Sequence, residues 1–144
     1  MEIICLDTNV LIAHKRAKKA DKDKTFLYLL TTKSYQFAVS SITVYELLRG
    51  DNQDEDAYWK VMFNNMTVLD FDSNCAEHAA NIYQDLKKKG MLIEPEDLLI
   101  AATALGNHLQ KAEHSVTGLP DINFDKTAEK SPTGDTLLFA QAHN

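Results

Sequence analysis

A short apolar run that ends in a carboxylate constrains the fold of this chain most strongly. Ile3 to Leu6 are all apolar, and Asp7 follows at once, ahead of a second apolar stretch from Val10 to Ile12. Four consecutive apolar residues predict a strand that is covered on both faces, which is typical of parallel sheets. The residues that follow predict a short helix starting near Thr8, and a buried strand leading into a helix favours an α/β fold.

The same two patterns alternate along the next hundred residues. Residues 35–40 alternate between apolar and polar side chains, and residues 68–71 predict a further short strand. Helical spacing predicts five more helices, which carry Phe26 to Leu30, Thr43 to Leu48, Tyr58 to Phe63, Ala76 to Leu86, and Pro95 to Leu105. Gly50 and Gly90 are expected to end two of them. Strands that alternate with helices predict an α/β sandwich with a central parallel sheet.

The pattern weakens beyond Gly106. His114 to Thr117 are a candidate last strand, whereas residues 126–135 resemble a flexible linker. Residues 136–142 are mildly apolar and either pack back on the domain or remain loose. We therefore expect one domain over residues 1–125 and a C-terminal tail over residues 126–144.

Length, charge and hydropathy exclude several classes of protein. A chain of 144 residues corresponds to one domain, and its net charge of −6 is unlike that of a domain that binds duplex DNA through phosphates. Residues 15–24 nevertheless hold six basic side chains against two acidic ones, which predicts a solvated face or a local phosphate-contact patch. The longest apolar stretch, Ile3 to Ala13, is too short to cross a bilayer. We therefore expect a soluble, cytoplasmic protein with no membrane partner.

Three carboxylates occupy equivalent places in this pattern. Asp7 follows the first strand, Glu46 lies just past the second, and Asp97 lies in the first turn of the last long helix. A parallel sheet brings these places together at one edge, where ligand sites form. Clustered carboxylates repel one another unless a cation neutralises them, and oxygen ligands favour Mg²⁺ or Mn²⁺.

Each of these acids also has a purely local interpretation. Asp7 is a suitable helix cap, and Thr43 and Glu46 have the spacing of a capping box. Asp97 complements the dipole of its helix. The positions alone leave these interpretations open beside that of a metal site.

Three blocks of the sequence resemble the signature motifs of PIN-domain ribonucleases. The blocks are residues 6–12 (LDTNVLI), 41–50 (SITVYELLRG) and 95–104 (PEDLLIAATA), in the order and at the spacing of that family. The resemblance covers residues 2 to about 109 and is strongest to VapC-like toxins of bacterial toxin–antitoxin pairs. It implies a three-layer α/β/α sandwich and a Mg²⁺-dependent endoribonuclease.

The resemblance also implies roles for single residues. Asp7, Glu46 and Asp97 correspond to the acidic cluster of the family, with Asp7 and Asp97 as direct metal ligands and Glu46 completing the cluster or orienting the attacking water. Thr8 and Asn9 correspond to its polar support. The usual substrate in the family is a folded RNA, typically tRNA, and the usual protein partner is an antitoxin that covers the site. Homodimers are common.

The chain departs from the family pattern after the last long helix. The family has a short strand there and often a fourth acid. In this chain, either Val116 and Thr117 form that strand, displaced by an extra helical turn, with Asp121 as a poorly placed fourth acid, or the strand and its site residue are missing. The alternative to an active enzyme is therefore an impaired PIN-like module that only binds RNA or a protein. Large apolar side chains on two helices would suit a dimer mate or an antitoxin helix wherever they are exposed; they are Phe26, Tyr28, Leu29, Tyr58, Trp59, Met62 and Phe63.

Overall fold

The computed structural model describes residues 2–33, 35–50, 52–91, 93–107, 122–125 and 137–142. Along the chain, the elements are β1 (Glu2–Leu6), α1 (Thr8–Arg16), a 3₁₀ helix (Lys19–Lys24), α2 (Phe26–Thr31), β2 (Tyr35–Ser40), α3 (Ser41–Leu48), α4 (Gln53–Asn64), β3 (Thr67–Leu69), α5 (Ser73–Lys88), α6 (Pro95–Gly106), β4 (Ile122–Asp125) and β5 (Leu137–Ala142).

The strands form a single sheet in the order β3–β2–β1–β5–β4. Strand β1 lies at its centre, with Ile4 opposite Phe37 of β2 on one side and opposite Leu138 of β5 on the other. These pairings and that of β2 with β3 are parallel, whereas β4 runs antiparallel to β5. The predicted α/β fold with a central parallel sheet is confirmed, with one antiparallel strand added at its edge.

The apolar run of β1 lies in the core, as the sequence predicts. Ile4, Cys5 and Leu6 are fully buried, and Leu11 of α1 is buried with them. On the β3 side of the sheet, Trp59 stacks on Phe63 with 6.3 Å between their ring centroids.

The ends of several elements differ by a few residues from those predicted. Strand β3 ends at Leu69 and not at Phe71, because Asp72 caps α5 by accepting a hydrogen bond from the backbone N–H of Cys75. The chain must leave the sheet before that cap forms. Gly90 ends α5 as predicted: it has a positive φ of 66°, and its N–H donates to Lys87.

The C-terminal segment contributes to the sheet. Leu137–Ala142 forms β5 and pairs with β1. Of the two alternatives that the sequence left open for residues 136–142, the structure therefore supports packing on the domain. The boundary expected at residue 125 falls between β4 and β5 in the chain, although these two strands pair with each other. The predicted strand at His114 to Thr117 and the predicted linker at 126–135 lie outside the described residues.

None of the helices in the described part of the chain is long and apolar enough to span a membrane.

Candidate functional site

Asp7 lies where β1 ends and α1 begins, at the carboxyl edge of the sheet. It is the N-cap of α1, and its Oδ1 accepts a hydrogen bond of 2.9 Å from the backbone N–H of Thr8. The local interpretation of Asp7 as a cap is therefore correct, but it accounts for one oxygen only. The side chain is only 2% exposed, and its Oδ2 is buried without a hydrogen-bond partner among the described residues.

The pKa of the Asp7 carboxyl depends on its burial and on the groups around it. The pKa of its carboxyl is raised from 3.8 to about 6, mainly by burial and, to a smaller extent, by the negative charges of Asp97 and Glu46. The backbone N–H groups of Thr8 and Asn9 act in the opposite direction, because they stabilise the ionised form. Asp97 and Glu46 are therefore both close enough to Asp7 to act on it electrostatically.

Glu46 does not form the capping box that its spacing with Thr43 suggested. Helix α3 begins at Ser41, and its N-cap is Ser40, three residues before Thr43; the Oγ atom of Ser40 accepts a hydrogen bond of 3.0 Å from the backbone N–H of Thr43. The Glu46 side chain therefore does not take part in capping the N-terminus of α3. Its Oε1 instead accepts a hydrogen bond of 2.9 Å from the hydroxyl of Thr8.

A chain of buried hydroxyl groups holds Glu46 in place. The hydroxyl oxygens of Ser40 and Thr43 are 3.2 Å apart, and those of Thr43 and Thr8 are 3.0 Å apart. Because a carboxylate only accepts hydrogen bonds, the single hydroxyl hydrogen of Thr8 points to Glu46. Thr8 then accepts from Thr43, and Thr43 accepts from Ser40.

Two of these supporting residues were not identified from the sequence. Ser40 and Thr43 are fully buried polar side chains, and only Thr8 and Asn9 were expected as support. The available signal was the position of Ser40 at the carboxyl end of the predicted second strand, which is the edge of the sheet where the acids were expected to meet. The side chain of Asn9 is exposed and has no hydrogen bond within the described structure, so its contact with Asp7 is through the backbone.

Asp97 reaches the site from α6. It is half-buried in the first helical turn, next to Pro95, which starts the helix. The N-cap, Glu94, makes no side-chain capping bond with any described residue. The first turn of α6 therefore brings a carboxylate to the edge of the sheet from the third of the three predicted positions. Asp121, the candidate for a fourth position, lies outside the described residues.

The acids are neighbours but do not form a closed coordination sphere. In the ranges that the structure describes, no group of three or more His, Cys, Asp or Glu side chains is arranged to hold a metal ion as it stands. The donor set is nevertheless all oxygen, and Asp7 Oδ2 is a buried acceptor whose partner is missing among the described atoms. The oxygen ligands of these residues are therefore of the type that a hard divalent cation prefers, although the side chains are not spaced to bind one as they stand.

The comparison with known families identifies this fold. The model of the PIN domain matches residues 4–129. Ribonuclease VapC3 of Methanocaldococcus jannaschii is 33% identical over 97 residues, which are 67% of this chain and 93% of that relative.

Solved structures show the same architecture. The DNA-bound VapBC structure from Salmonella typhimurium aligns with a TM-score of 0.58 and 28% identity, over 74% of this chain and 81% of that one. VapBC-5 of Mycobacterium tuberculosis, described as a member of the VapBC family of toxin–antitoxin systems, aligns with a TM-score of 0.51 over 74% of this chain and 79% of its own. At 24% identity, this second similarity concerns the fold alone.

Proposed function

The chain belongs to the PIN-domain family, and on that premise we propose that it is a metal-dependent endoribonuclease, the toxin of a toxin–antitoxin pair. One observation carries the proposal. Asp7 holds a buried oxygen with no partner among the described groups, beside two further carboxylates that oppose its ionisation. A buried oxygen without a partner and two neighbouring negative charges both destabilise the fold. A cation bound there would provide the missing partner and reduce the repulsion between the carboxylates.

Mg²⁺, with Mn²⁺ as a substitute, is the cofactor that this donor set favours. Asp7 and Asp97 would be direct ligands, and Glu46 would complete the cluster or orient water. An ion held by these carboxylates would neutralise charge on a phosphodiester and activate a water for its hydrolysis. Hydrolysis of this kind needs no covalent intermediate, in agreement with a site that is built from carboxylates and hydroxyl groups.

The residues of the chain then act mainly by positioning. Thr8 fixes two carboxylates at once, because its backbone N–H donates to Asp7 and its hydroxyl donates to Glu46. Ser40 and Thr43 hold Thr8 in that orientation from the buried side. The unpaired oxygen of Asp7 is thereby kept available for a ligand and not consumed by a second helix-capping bond.

The substrate that we propose is a folded RNA, with tRNA as the first candidate, and the site of action is the cytoplasm. The relatives are named ribonucleases, which supports RNA as the substrate class. The acidic charge of the chain does not support binding of nucleic acid over a broad surface. Recognition would therefore depend on a few local contacts near the carboxylates.

An apolar groove between α2 and α4 is the surface that we propose for the antitoxin. It has a volume of about 680 Å³ and is lined mainly by apolar and aromatic side chains, among them Leu27, Tyr28, Phe37, Tyr58, Val61 and Met62. Val61 and Tyr28 are 64% and 44% exposed. The similar VapBC structures support an antitoxin as its occupant, since the apolar face of a helix fits such a groove.

Only part of the apolar patch expected from the sequence faces this groove. Trp59 and Phe63 are buried in the core, while Tyr28, Tyr58 and Met62 line the groove. The side chains of Phe26 and Leu29 lie outside the described structure. A homodimer remains a prediction, and binding of a second copy in the groove is the alternative outcome of a test for antitoxin binding.

A cleavage assay tests the proposed activity. Purified protein without its partner is incubated with total tRNA in Mg²⁺ or in EDTA, with Asp97→Asn as the matched isosteric variant. Cleavage that requires both Mg²⁺ and Asp97 is the expected result. Equal cleavage by a folded Asp97→Asn variant would contradict the assignment of this residue.

Metal binding separates an active enzyme from an impaired binding module. One observation favours the impaired binding module: within the described residues, the acids are not spaced to form a closed metal site. Calorimetry with Mn²⁺ should show binding to the wild type and its loss in Asp7→Asn. If the folded wild type neither cleaves RNA nor binds Mn²⁺, the chain is a binding module and the proposed enzymatic activity is wrong.

A further inference from the structure

The chain contains two arginines, and both line one pocket beside the candidate active site. Arg16 is the last residue of α1, and Arg49 is the C-cap of α3. The pocket has a volume of about 260 Å³ and includes Glu46, one of the three site carboxylates. We call it the arginine pocket; its other lining residues include Lys15, Glu55 and Trp59.

Arg16 is not required for the local structure. A cation at the end of a helix commonly binds its last carbonyl groups, but here Lys22 does so, because its Nζ donates to the carbonyl oxygens of His14 and Lys15. Arg16 is exposed, and its guanidinium has no hydrogen bond or ion pair with any residue that the structure describes. Its donors are therefore available to a ligand.

Arg49 is held in place by an aromatic ring. Its guanidinium carbon lies 5.7 Å from the centroid of the Tyr45 ring, and Tyr45 is 59% exposed. This cation–π contact orients the guanidinium group without using its hydrogen-bond donors. The ring of Tyr45 also keeps an exposed surface, which is a suitable platform for a nucleobase.

Two of the remaining charged residues of the pocket compensate each other. Lys15 Nζ lies 2.8 Å from Glu55 Oε1, so this lysine and this carboxylate form an ion pair. Glu46 is bound to Thr8 on the side of the active site. The two guanidinium groups are therefore the cations of the pocket without an ion-pair partner among the described residues, and they lie beside the carboxylate of Glu46 on a chain whose net charge is −6.

We propose that the arginine pocket binds a phosphodiester of the RNA backbone next to the one that is cleaved, an inference that rests on the proposed ribonuclease function. A guanidinium group matches phosphate geometry with two parallel hydrogen bonds. The shared lining residue, Glu46, places the pocket directly beside the reacting centre. On an acidic protein, two such contacts and a stacking ring would set the register of the substrate.

An acidic peptide has the same anionic chemistry as a phosphodiester and is the competing occupant. The exposed ring of Tyr45 and the position beside Glu46 favour RNA over that alternative. A poly-glutamate peptide provides a direct probe for the competing occupant.

The test compares Arg16→Gln and Arg49→Gln with Lys88→Gln. Lys88 is an exposed lysine at the end of α5 that lines neither pocket, and its substitution removes the same charge. Cleavage of total tRNA in Mg²⁺ gives kcat and KM, and binding of tRNA in EDTA is measured as a function of salt. Each arginine variant should raise KM by about tenfold with little change in kcat. Each should also reduce the slope of log K against log salt by about 0.7 to 0.9.

The outcomes distinguish this inference from the proposed function. If the wild type cleaves tRNA and both arginine variants keep its KM and salt slope, the arginine pocket does not bind RNA although the chain is a nuclease. If the wild type binds tRNA in an arginine-dependent manner without cleaving it, the nuclease proposal fails and the pocket assignment stands. Arginine variants that lose poly-glutamate binding but keep tRNA binding would assign the pocket to a protein segment and overturn our inference. Unchanged melting temperatures would confirm that the exposed substitutions leave the fold intact.

Discussion

The hydroxyl of Thr8 donates a hydrogen bond of 2.9 Å to Glu46 Oε1, across 38 positions of the chain. The backbone N–H of the same residue donates to Asp7. One threonine therefore orients two of the three candidate site carboxylates and connects the start of α1 to the middle of α3. The hydroxyl at this position thus has a structural role in the described fold and a positioning role in the proposed enzyme.

Thr8→Val should separate positioning from folding. Valine keeps the shape of threonine but removes the hydroxyl, so that Glu46 loses its donor and the hydroxyl of Thr43 loses its acceptor. We expect a loss of about 1–3 kcal/mol in the free energy of unfolding, because a buried polar group is left unpaired. We also expect kcat for tRNA cleavage to fall about tenfold or more while tRNA binding in EDTA is unchanged. Thr8→Ser retains the hydroxyl and should restore most of kcat; a Thr8→Val variant with the kcat of the wild type would contradict this role.

Asp7→Asn should stabilise the protein at neutral pH. In the folded protein the pKa of Asp7 is about 6, against 3.8 as the ordinary value, so the folded state binds the proton more tightly than the unfolded state does. The corresponding stability is fully present below pH 4 and is lost as the pH rises to about 6. The loss at pH 7 amounts to about 3 kcal/mol.

Urea denaturation in EDTA between pH 4 and pH 8 measures this effect. The wild type should lose stability over that range relative to Asp7→Asn, because the other carboxylates are common to both proteins. The neutral amide should also make the variant the more stable protein at pH 7, although it is expected to be inactive. If the free energies of unfolding of the two proteins changed in parallel with pH, folding would not raise the pKa of Asp7.

The position of Asp7 could be predicted from the sequence because it depends on local order only. An apolar strand followed by a carboxylate places that carboxylate at the edge of the sheet, and α1 begins at the next residue. The capping interpretation of Glu46 was wrong because Ser40 and Thr43 both have the chemistry of a cap, and only the exit of β2 determines which of them caps α3. Spacing within one segment does not contain that information.

Contacts between distant segments were the least predictable part of the fold. The hydrogen bond from Thr8 to Glu46 joins two elements whose approach depends on the pairing of β1 with β2. The pairing of β5 with β1 likewise joins the two ends of the chain, and the apolar character of residues 136–142 was compatible with either packing or a loose tail. Similarly, no local pattern indicates that both arginines line one pocket.

Gly106→Ala should destabilise the packing of α5 against α6. A Cβ atom at this position would lie 2.4 Å from the Sγ atom of Cys75 and 2.8 Å from its Cα, and the backbone atom cannot move without displacing α5. We expect a loss of about 1–3 kcal/mol in the free energy of unfolding, which outweighs the better helix propensity of alanine. Gly50→Ala is the matched control, since no described atom lies within 4 Å of its Cβ position.

Urea denaturation of the two alanine variants provides the measurement. Gly50→Ala should remain within about 0.5 kcal/mol of the wild type. Cys75→Ala, combined with Gly106→Ala, should recover only part of the loss, because it removes the contact with sulfur and leaves the contact with the Cα atom. Equal stability of the Gly106→Ala variant and the wild type would show that α5 and α6 are further apart than the structure has them.

Val61→Lys should release the enzyme from its antitoxin without affecting cleavage. Val61 is 64% exposed on α4 and lines the apolar groove, so a lysine there introduces a charge into the proposed contact without disturbing the core. Val68→Lys is the matched control: Val68 is 40% exposed on the edge strand β3 and does not line the groove. When each variant is co-expressed with the cognate antitoxin, Val61→Lys should arrest growth, whereas Val68→Lys should be neutralised like the wild type. Both purified variants should cleave tRNA at the rate of the wild type. If the antitoxin neutralises Val61→Lys as fully as the control, it binds elsewhere, and an accompanying shift of the purified variant from dimer to monomer would assign the groove to a second copy of the chain.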